Sequence, residues 1–304
     1  MIVDTANQFL QIFSHERFPL QYPAVARAAF LVTPLGFALA EQSASDNRYM
    51  AVEQAFEPSR ALLQHADLAH ELSQCLPVIC FPGDPSTPDA VFPNNVYGTA
   101  AGRIVIGAMR HPVRRLEAQR GDIRAWFQQI LGYSLVDLSA LNLVAELTGA
   151  LVIDHARGIG YCGLSERCDR AGVEAMHEAF NLKLTFCFKL APGEYHTNVV
   201  LSILAGKAAV IAPSGFADTT VVDAIARVYS GNAMRLSMEQ KQAFCGNGIA
   251  LPGDTFWLSK RAMQALSEDQ LATLRAWGFE LHSADLSEIE KAGGSLRCCV
   301  GEIF

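Results

Sequence analysis

Ser295–Phe304 reads SLRCCVGEIF, a short apolar stretch entered from the pair Gly293-Gly294, with room for one β-strand before the chain stops. A lone strand with an apolar face needs neighbours to satisfy its backbone groups. They stand at the other end of the chain. Residues 28–33 (AAFLVT) read as a second strand, a helix follows near Ala51 to Leu72, and residues 76–81 (LPVICF) read as a third. The two chain ends together complete one unit of strand, turn, strand, helix, strand.

The same pattern of apolar runs and turn residues occurs four more times, at a spacing of about 50 residues, in the range of propeller-like arrays. One copy begins at Asn94-Asn95, turns at Ala101-Gly102-Arg103, continues as IVIGAM, enters a helix from Pro112 to Leu131 and ends on SLVDL. The next reads ELTGALVI (146–153), a turn from Asp154 to Gly158, IGYCGL, a helix through Phe180 that Ser165 can cap, and KLTFCF. A third runs from HTNVVLSI (196–203) through the turn Ala205-Gly206-Lys207, AAVIAP and the helix around TTVVDAIARVY to AMRLSM. A fourth runs from CGNGIAL (245–251) through Pro252-Gly253-Asp254, TFWLS and a helix through Trp277 to FELHSADL. The repeat predicts an α/β fold: a five-bladed α/β propeller with pseudo-five-fold symmetry, its ring closed by N- and C-terminal strands, in a single catalytic domain spanning 1–304. The same elements could also build a three-layer α/β sheet, because short apolar runs do not specify topology.

Of the 304 residues half are apolar and 18% charged, ample for a large core. The formal net charge of -7, with no Lys/Arg run, excludes a nucleic-acid or anionic-membrane surface, so the expected partner is a small molecule. MIVDTANQFLQIF at the start lacks a basic export region, no apolar run is long enough to span a bilayer, and a cytoplasmic protein is expected. The eight cysteines show no paired zinc-type spacing; most read as buried small hydrophobes. No metal or organic cofactor is implied.

If the first strands of the blades converge on the symmetry axis, the polar residues that open them meet there: Asn94 and Asn95, Glu146, His196 and Asn198, Asn247, and Cys298. A cysteine, a histidine and a carboxylate from different blades would give one pocket a nucleophile, a proton shuttle and an orienter for that shuttle. Taken singly, Glu146 also reads as a solvated strand-end carboxylate and His196 as an ordinary strand-end histidine. Their equivalent repeat positions carry the case.

The segments TPDAVFPNN with PVRRLE, AELTGALV with LSER, YHTN, and GGSLRCC with the terminal EIF, taken in order over about residues 28–304, resemble the guanidino-group modifying superfamily. That superfamily includes dimethylarginine dimethylaminohydrolases, arginine deiminases and amidinotransferases; the chain most resembles its bacterial citrulline-utilisation hydrolase branch. The resemblance implies a five-bladed α/β propeller, Cys298 as nucleophile, His196 as general acid and base, and Glu146 as the partner of His196. It also implies substrate contacts at Asp89, Asn94 and Asn95, with Arg114 and Arg167 holding an amino-acid carboxylate, and it is compatible with a homodimer. The implied chemistry is attack of the Cys298 thiolate on the carbon of a guanidine or urea, protonation of the departing nitrogen by His196, and hydrolysis of the covalent intermediate.

The chain departs from the family pattern at Asn94, Asn95 and Gly293, where guanidinium-binding members carry carboxylates. A desolvated guanidinium needs opposite charge, whereas a neutral ureido group needs a donor and an acceptor, as an asparagine amide provides. Two versions stay open at this point: a citrulline-like ureido substrate, or a guanidine held mainly by Glu146 and Asp89. An amidinotransferase using an amine acceptor and a non-catalytic amino-acid sensor are the alternatives to a hydrolase. Residues 36–48 have the small-residue content of a loop able to close over a site.

Overall fold

Alternation of short apolar strands with helices yields five sheets in which one connectivity recurs. In the computed structural model, which describes residues 1–51 and 55–304, every sheet pairs its first strand antiparallel to the second and its second parallel to the third. A tight turn suffices for the antiparallel step; the parallel step needs a crossover, which the helices supply. The three-stranded sheets are Tyr97–Ala100, Arg103–Ile106 and Ser134–Asp137; Leu201–Leu204, Ala208–Ile211 and Ala233–Arg235; and Ile249–Leu251, Thr255–Ser259 and Glu280–Ala284. A fourth combines Leu151–Asp154, Ile159–Leu164 and Leu184–Lys189 and gains an edge strand, Ile2–Val3, which the repeat did not anticipate.

In the fifth sheet Gly301–Ile303 pairs with Ala28–Val32, with Gly301 opposite Phe30 and Ile303 opposite Ala28, and Val78–Phe81 lies beyond. The last strand of the chain therefore completes a sheet with Ala28–Val32, as the truncated last repeat requires, while the first strand, Ile2–Val3, joins a different sheet. First strands of different sheets also lie side by side: Gly301–Ile303 beside Tyr97–Ala100, and Leu201–Leu204 between Leu151–Asp154 and Ile249–Leu251.

Several local expectations need correction. The first strands do not start at the polar residues; a single helical turn intervenes, at Leu147–Ala150, Thr197–Val200 and Leu296–Cys299, and a 3-10 turn at Pro93–Asn95. Apolar content within four residues reads the same in a turn as in a strand, which is why the sequence pattern merged them. The expected helix from Pro112 to Leu131 is broken into Pro112–Ala118 and Gly121–Ala125, the latter running into a π-helical turn at Trp126–Ile130. Ser165 does not cap the following helix, which is Arg170–Ala179 with Asp169 as its cap; the Ser165 hydroxyl donates instead to the carbonyl of Tyr195 at 2.7 Å. The helix expected from Ala51 starts at Pro58, and residues 52–54 lie outside the described residues. No helix among the described residues is long and apolar enough to cross a membrane.

Candidate active site

Each turn that precedes a first strand brings its polar residues to one place. Pro93–Asn95 packs against both Leu147–Ala150 and Leu296–Cys299, and Leu147–Ala150 packs against Thr197–Val200. Glu146 and His196 are the N-cap residues of their turns, yet neither side chain is spent on capping, so both are free to face the centre. A small cavity opens there, and Cys298, His196, Asn95, Asp89, Arg114 and Arg167 all contribute to its wall.

His196 is fully buried, and its Nε2 lies 2.9 Å from Oε2 of Glu146. Burial opposes charge on both groups, and it lowers the imidazole's affinity for a proton. For Glu146, burial is outweighed by Arg167, whose Nη1 sits 3.1 Å from Oε2, and by His196, which together hold the carboxyl well below the usual range. An ionised Glu146 accepts the Nε2 proton of a neutral imidazole, leaving the Nδ1 lone pair available. Nδ1 has no hydrogen-bond partner among the described residues. It points at the face of Gly149, where an added Cβ would lie 2.8 Å from Nδ1 and 2.7 Å from Oδ1 of Asn95, so only glycine leaves those two atoms space.

Cys298 is 1% exposed, and burial pushes its thiol up, against hydrogen bonds from its own turn and from the amide of Asn247; the thiol itself donates to Oδ1 of Asn198. Among the described residues no hydrogen bond joins Cys298 to His196. Burial thus favours a neutral thiol and a neutral imidazole on the wall of one cavity.

Asp89 is buried in the cavity wall, where it accepts a hydrogen bond from the hydroxyl of Ser43; burial raises its carboxyl and nearby Arg114 opposes that rise. The two arginines differ. Arg114 pairs bidentately with Glu117, at 2.9 and 2.8 Å, and donates from Nη2 to the carbonyl of Phe92, but its Nη1 makes no hydrogen bond among the described residues. Arg167 is bonded through every nitrogen: Nε and Nη2 to Asp46, Nη2 also to the carbonyl of Ser43, and Nη1 to Glu146. Asn95 lines the cavity and its Oδ1 is unpartnered, whereas Asn94 is not among the lining residues. Consecutive residues of a 3-10 turn point to different sides, so of the two amides expected to contact a substrate only that of Asn95 lines the cavity.

The profile described as "N,N dimethylarginine dimethylhydrolase, eukaryotic" matches residues 33–304. The chain belongs to this hydrolase family. Among its relatives is the uncharacterized protein YkgA of Bacillus subtilis, 25% identical over 239 residues that cover 78% of this chain and 77% of YkgA. Solved structures share the fold. The N-terminal domain of the cyanobacterial arginine dihydrolase ArgZ, a cysteine-to-serine mutant bound to substrate, superposes with a TM-score of 0.79 at 18% identity, covering 91% of this chain and 97% of that one. The dimethylarginine dimethylaminohydrolase of Pseudomonas aeruginosa, complexed with citrulline, superposes with a TM-score of 0.70 at 18% identity, covering 91% and 99%.

In this dimethylarginine dimethylhydrolase family member the cavity has further walls that sequence reasoning did not name. Ser43 and Asn47, both from the small-residue segment 36–48, line the cavity. Asp46, from the same segment, reaches Arg167 and His111, the latter at 3.1 Å. Tyr195 donates to the carbonyl of Gly293 at 2.5 Å, and Asn47 donates to the same carbonyl at 3.4 Å. Gly293 has a φ of +78°, and an added Cβ would lie 2.5 Å from Nδ2 of Asn47, so any side chain there would strain the backbone and displace the Asn47 amide. The adjacency of Tyr195 to His196 and the lone Asp-Asn pair inside residues 36–48 were the available signals.

Proposed function

We propose that this chain is a hydrolase that cleaves a carbon-nitrogen bond at the planar carbon of a guanidino or ureido group on an arginine-related amino acid, through a covalent bond to Cys298. The carrying observation is that Cys298 and His196 line one cavity together with Asp89, Asn95 and the unpaired edge of Arg114. In this reading residues 1–304 form one catalytic unit, the five sheets being the blades of a five-bladed α/β propeller around the cavity. The common strand connectivity, the pairing of Gly301–Ile303 with Ala28–Val32 and the likeness to ArgZ support that arrangement.

His196 Nδ1 takes the proton of the Cys298 thiol as sulfur bonds to the planar carbon, and passes it to the departing nitrogen as the carbon-nitrogen bond breaks. A water then attacks the thioester-like carbon; its proton goes to Nδ1, and the sulfur leaves and regains that proton. Glu146 fixes the imidazole tautomer and stabilises its charged form throughout. Because burial disfavours charge on both reacting groups, a bound cation is the natural trigger for thiol ionisation.

Asp89 and Oδ1 of Asn95 accept hydrogen bonds, which suits a guanidinium, a donor-only group. The names of the relatives, a dimethylarginine hydrolase family and an arginine dihydrolase, favour this version. The amide of Asn95, in place of a carboxylate, supports the ureido version as a second reading. Purified protein offered arginine, methylated arginines, agmatine and citrulline, with ammonia and alkylamine release measured, separates them. Release that requires an added amine acceptor would instead identify a transferase. Thermal stabilisation without turnover, unchanged by Cys298→Ala, would overturn the enzymatic reading in favour of a sensor.

A further inference from the structure

We infer that Asn247 is the hydrogen-bond donor that holds the Cys298 thiolate, a role that rests on the reading of Cys298 as nucleophile. Asn247 is fully buried, and the orientation of its amide is dictated by its surroundings. The backbone N–H of Arg297, which can only donate, lies 3.1 Å from one end of the amide, so that end is the oxygen. The NH2 end consequently faces the carbonyl of Asn198 at 2.8 Å and Sγ of Cys298 at 3.4 Å. One hydrogen serves the near carbonyl, and the other lies between the sulfur and Oδ1 of Asn198, each 3.4 Å from Nδ2, so the sulfur gains the larger share of it once it is charged.

Asn198 is fixed in the opposite sense. Its Nδ2 donates to the carbonyl of Thr148 at 3.1 Å, which leaves Oδ1 toward the sulfur at 3.8 Å. Oδ1 can only accept, so it receives the S–H of the neutral thiol, while the amide of Asn247 bonds more strongly to sulfur once the proton has gone. The two amides thus bracket the two protonation states of Cys298. This matters because His196 forms no hydrogen bond to the sulfur, and the charged or titratable groups near it are otherwise Arg297 on its own turn, Cys299 beside it, and Tyr195, His196, Asp89, Arg114 and Arg167 around the cavity. Asn247 is the side-chain donor in contact with the sulfur among the described residues.

The test is the pH dependence of Cys298 ionisation, read as far-ultraviolet thiolate absorbance after subtraction of the Cys298→Ser spectrum, and as the rate of Cys298 alkylation by iodoacetamide followed by peptide mapping. In Asn247→Leu, a neutral replacement without a donor, the midpoint should rise so that alkylation at neutral pH slows about tenfold or more, one pKa unit being a factor of ten. Asn247→Asp, which keeps an acceptor for Arg297 but puts a carboxylate by the sulfur, should shift it further. Folded variants with an unmoved midpoint overturn the proposal and leave Asn247 a purely structural residue. Should neither variant fold, the side-chain amide resonances of Asn247 in the wild-type protein decide: they should move with the Cys298 titration, and constancy through it overturns the proposal. Failure of the nucleophile reading is separately visible as turnover by Cys298→Ser.

Discussion

Nε2 of His196 lies 2.9 Å from Oε2 of Glu146, with both side chains fully buried and the opposite ring nitrogen unpartnered against Gly149. The pair sets both the tautomer and the proton affinity of the imidazole. Glu146→Gln keeps the shape but removes the charge that stabilises a protonated ring, so kcat should fall by at least about a hundredfold, by analogy with neutralising the carboxylate of a catalytic triad. Substrate KM should change little, since Glu146 is not in the cavity wall. Steady-state kinetics on the preferred substrate checks both.

The two cavity arginines should separate kinetically. Arg114 has an uncommitted Nη1, whereas Arg167 is fully engaged by Asp46, Ser43 and Glu146. Arg114→Lys, which keeps a cation against Glu117 but loses the planar fork, should raise KM for a carboxylate-bearing substrate about ten- to a hundredfold while leaving a decarboxylated analogue such as agmatine unaffected. Arg167→Lys should instead lower kcat, because it disturbs the carboxylate that supports His196. Equal effects of both substitutions on KM would refute this division.

Asn95→Asp should change which substrate is preferred. Placing a carboxylate where Oδ1 now sits unpartnered favours a cationic guanidinium and repels the oxygen of a urea. The ratio of kcat/KM for arginine over citrulline should rise by about tenfold or more, the scale of one charged hydrogen bond. An unchanged ratio would mean that Asn95 does not face the reacting group.

Acid stability should depend on His65, buried on the helix Pro58–Leu72 with its Nε2 unpartnered. Burial lowers its pKa from 6.5 to about 4. The unfolded chain therefore takes up the proton first: the contribution of the neutral ring is complete above pH 6.5 and is lost as pH falls to about 4. That window should cost wild-type protein about 3 kcal/mol at this site. His65→Leu should flatten the pH dependence of the urea midpoint by a corresponding amount between those pH values.

Much of this was legible in the sequence because strands bounded by turns leave a periodic record. IGYCGL is the strand Ile159–Leu164, and TFWLS is Thr255–Ser259, residue for residue. The pairing of Gly301–Ile303 with Ala28–Val32 followed from a last repeat that lacked its partners. The helical turns before the first strands were not legible, since TNVV and LTGA carry no helix signal apart from tertiary packing. Ser165 looked like a cap, but its hydroxyl is held by Tyr195, thirty residues away, a contact that local chemistry cannot announce. Cys298, His196 and Glu146 were found through equivalent repeat positions. Asp46 was not, because its role comes from a segment folded across Arg167 rather than from the repeat. Asn94 and Asn95 looked alike in sequence and were separated only by the geometry of their turn.

The most direct test of the central claim is intact-protein and peptide mass spectrometry after rapid acid quench of the enzyme turning over its preferred substrate. The account predicts a substoichiometric adduct with the mass of the substrate less its departing amine, located on the peptide containing Cys298, and absent together with all turnover in Cys298→Ser. Turnover by Cys298→Ser at the wild-type rate, or an adduct on another residue, would contradict it.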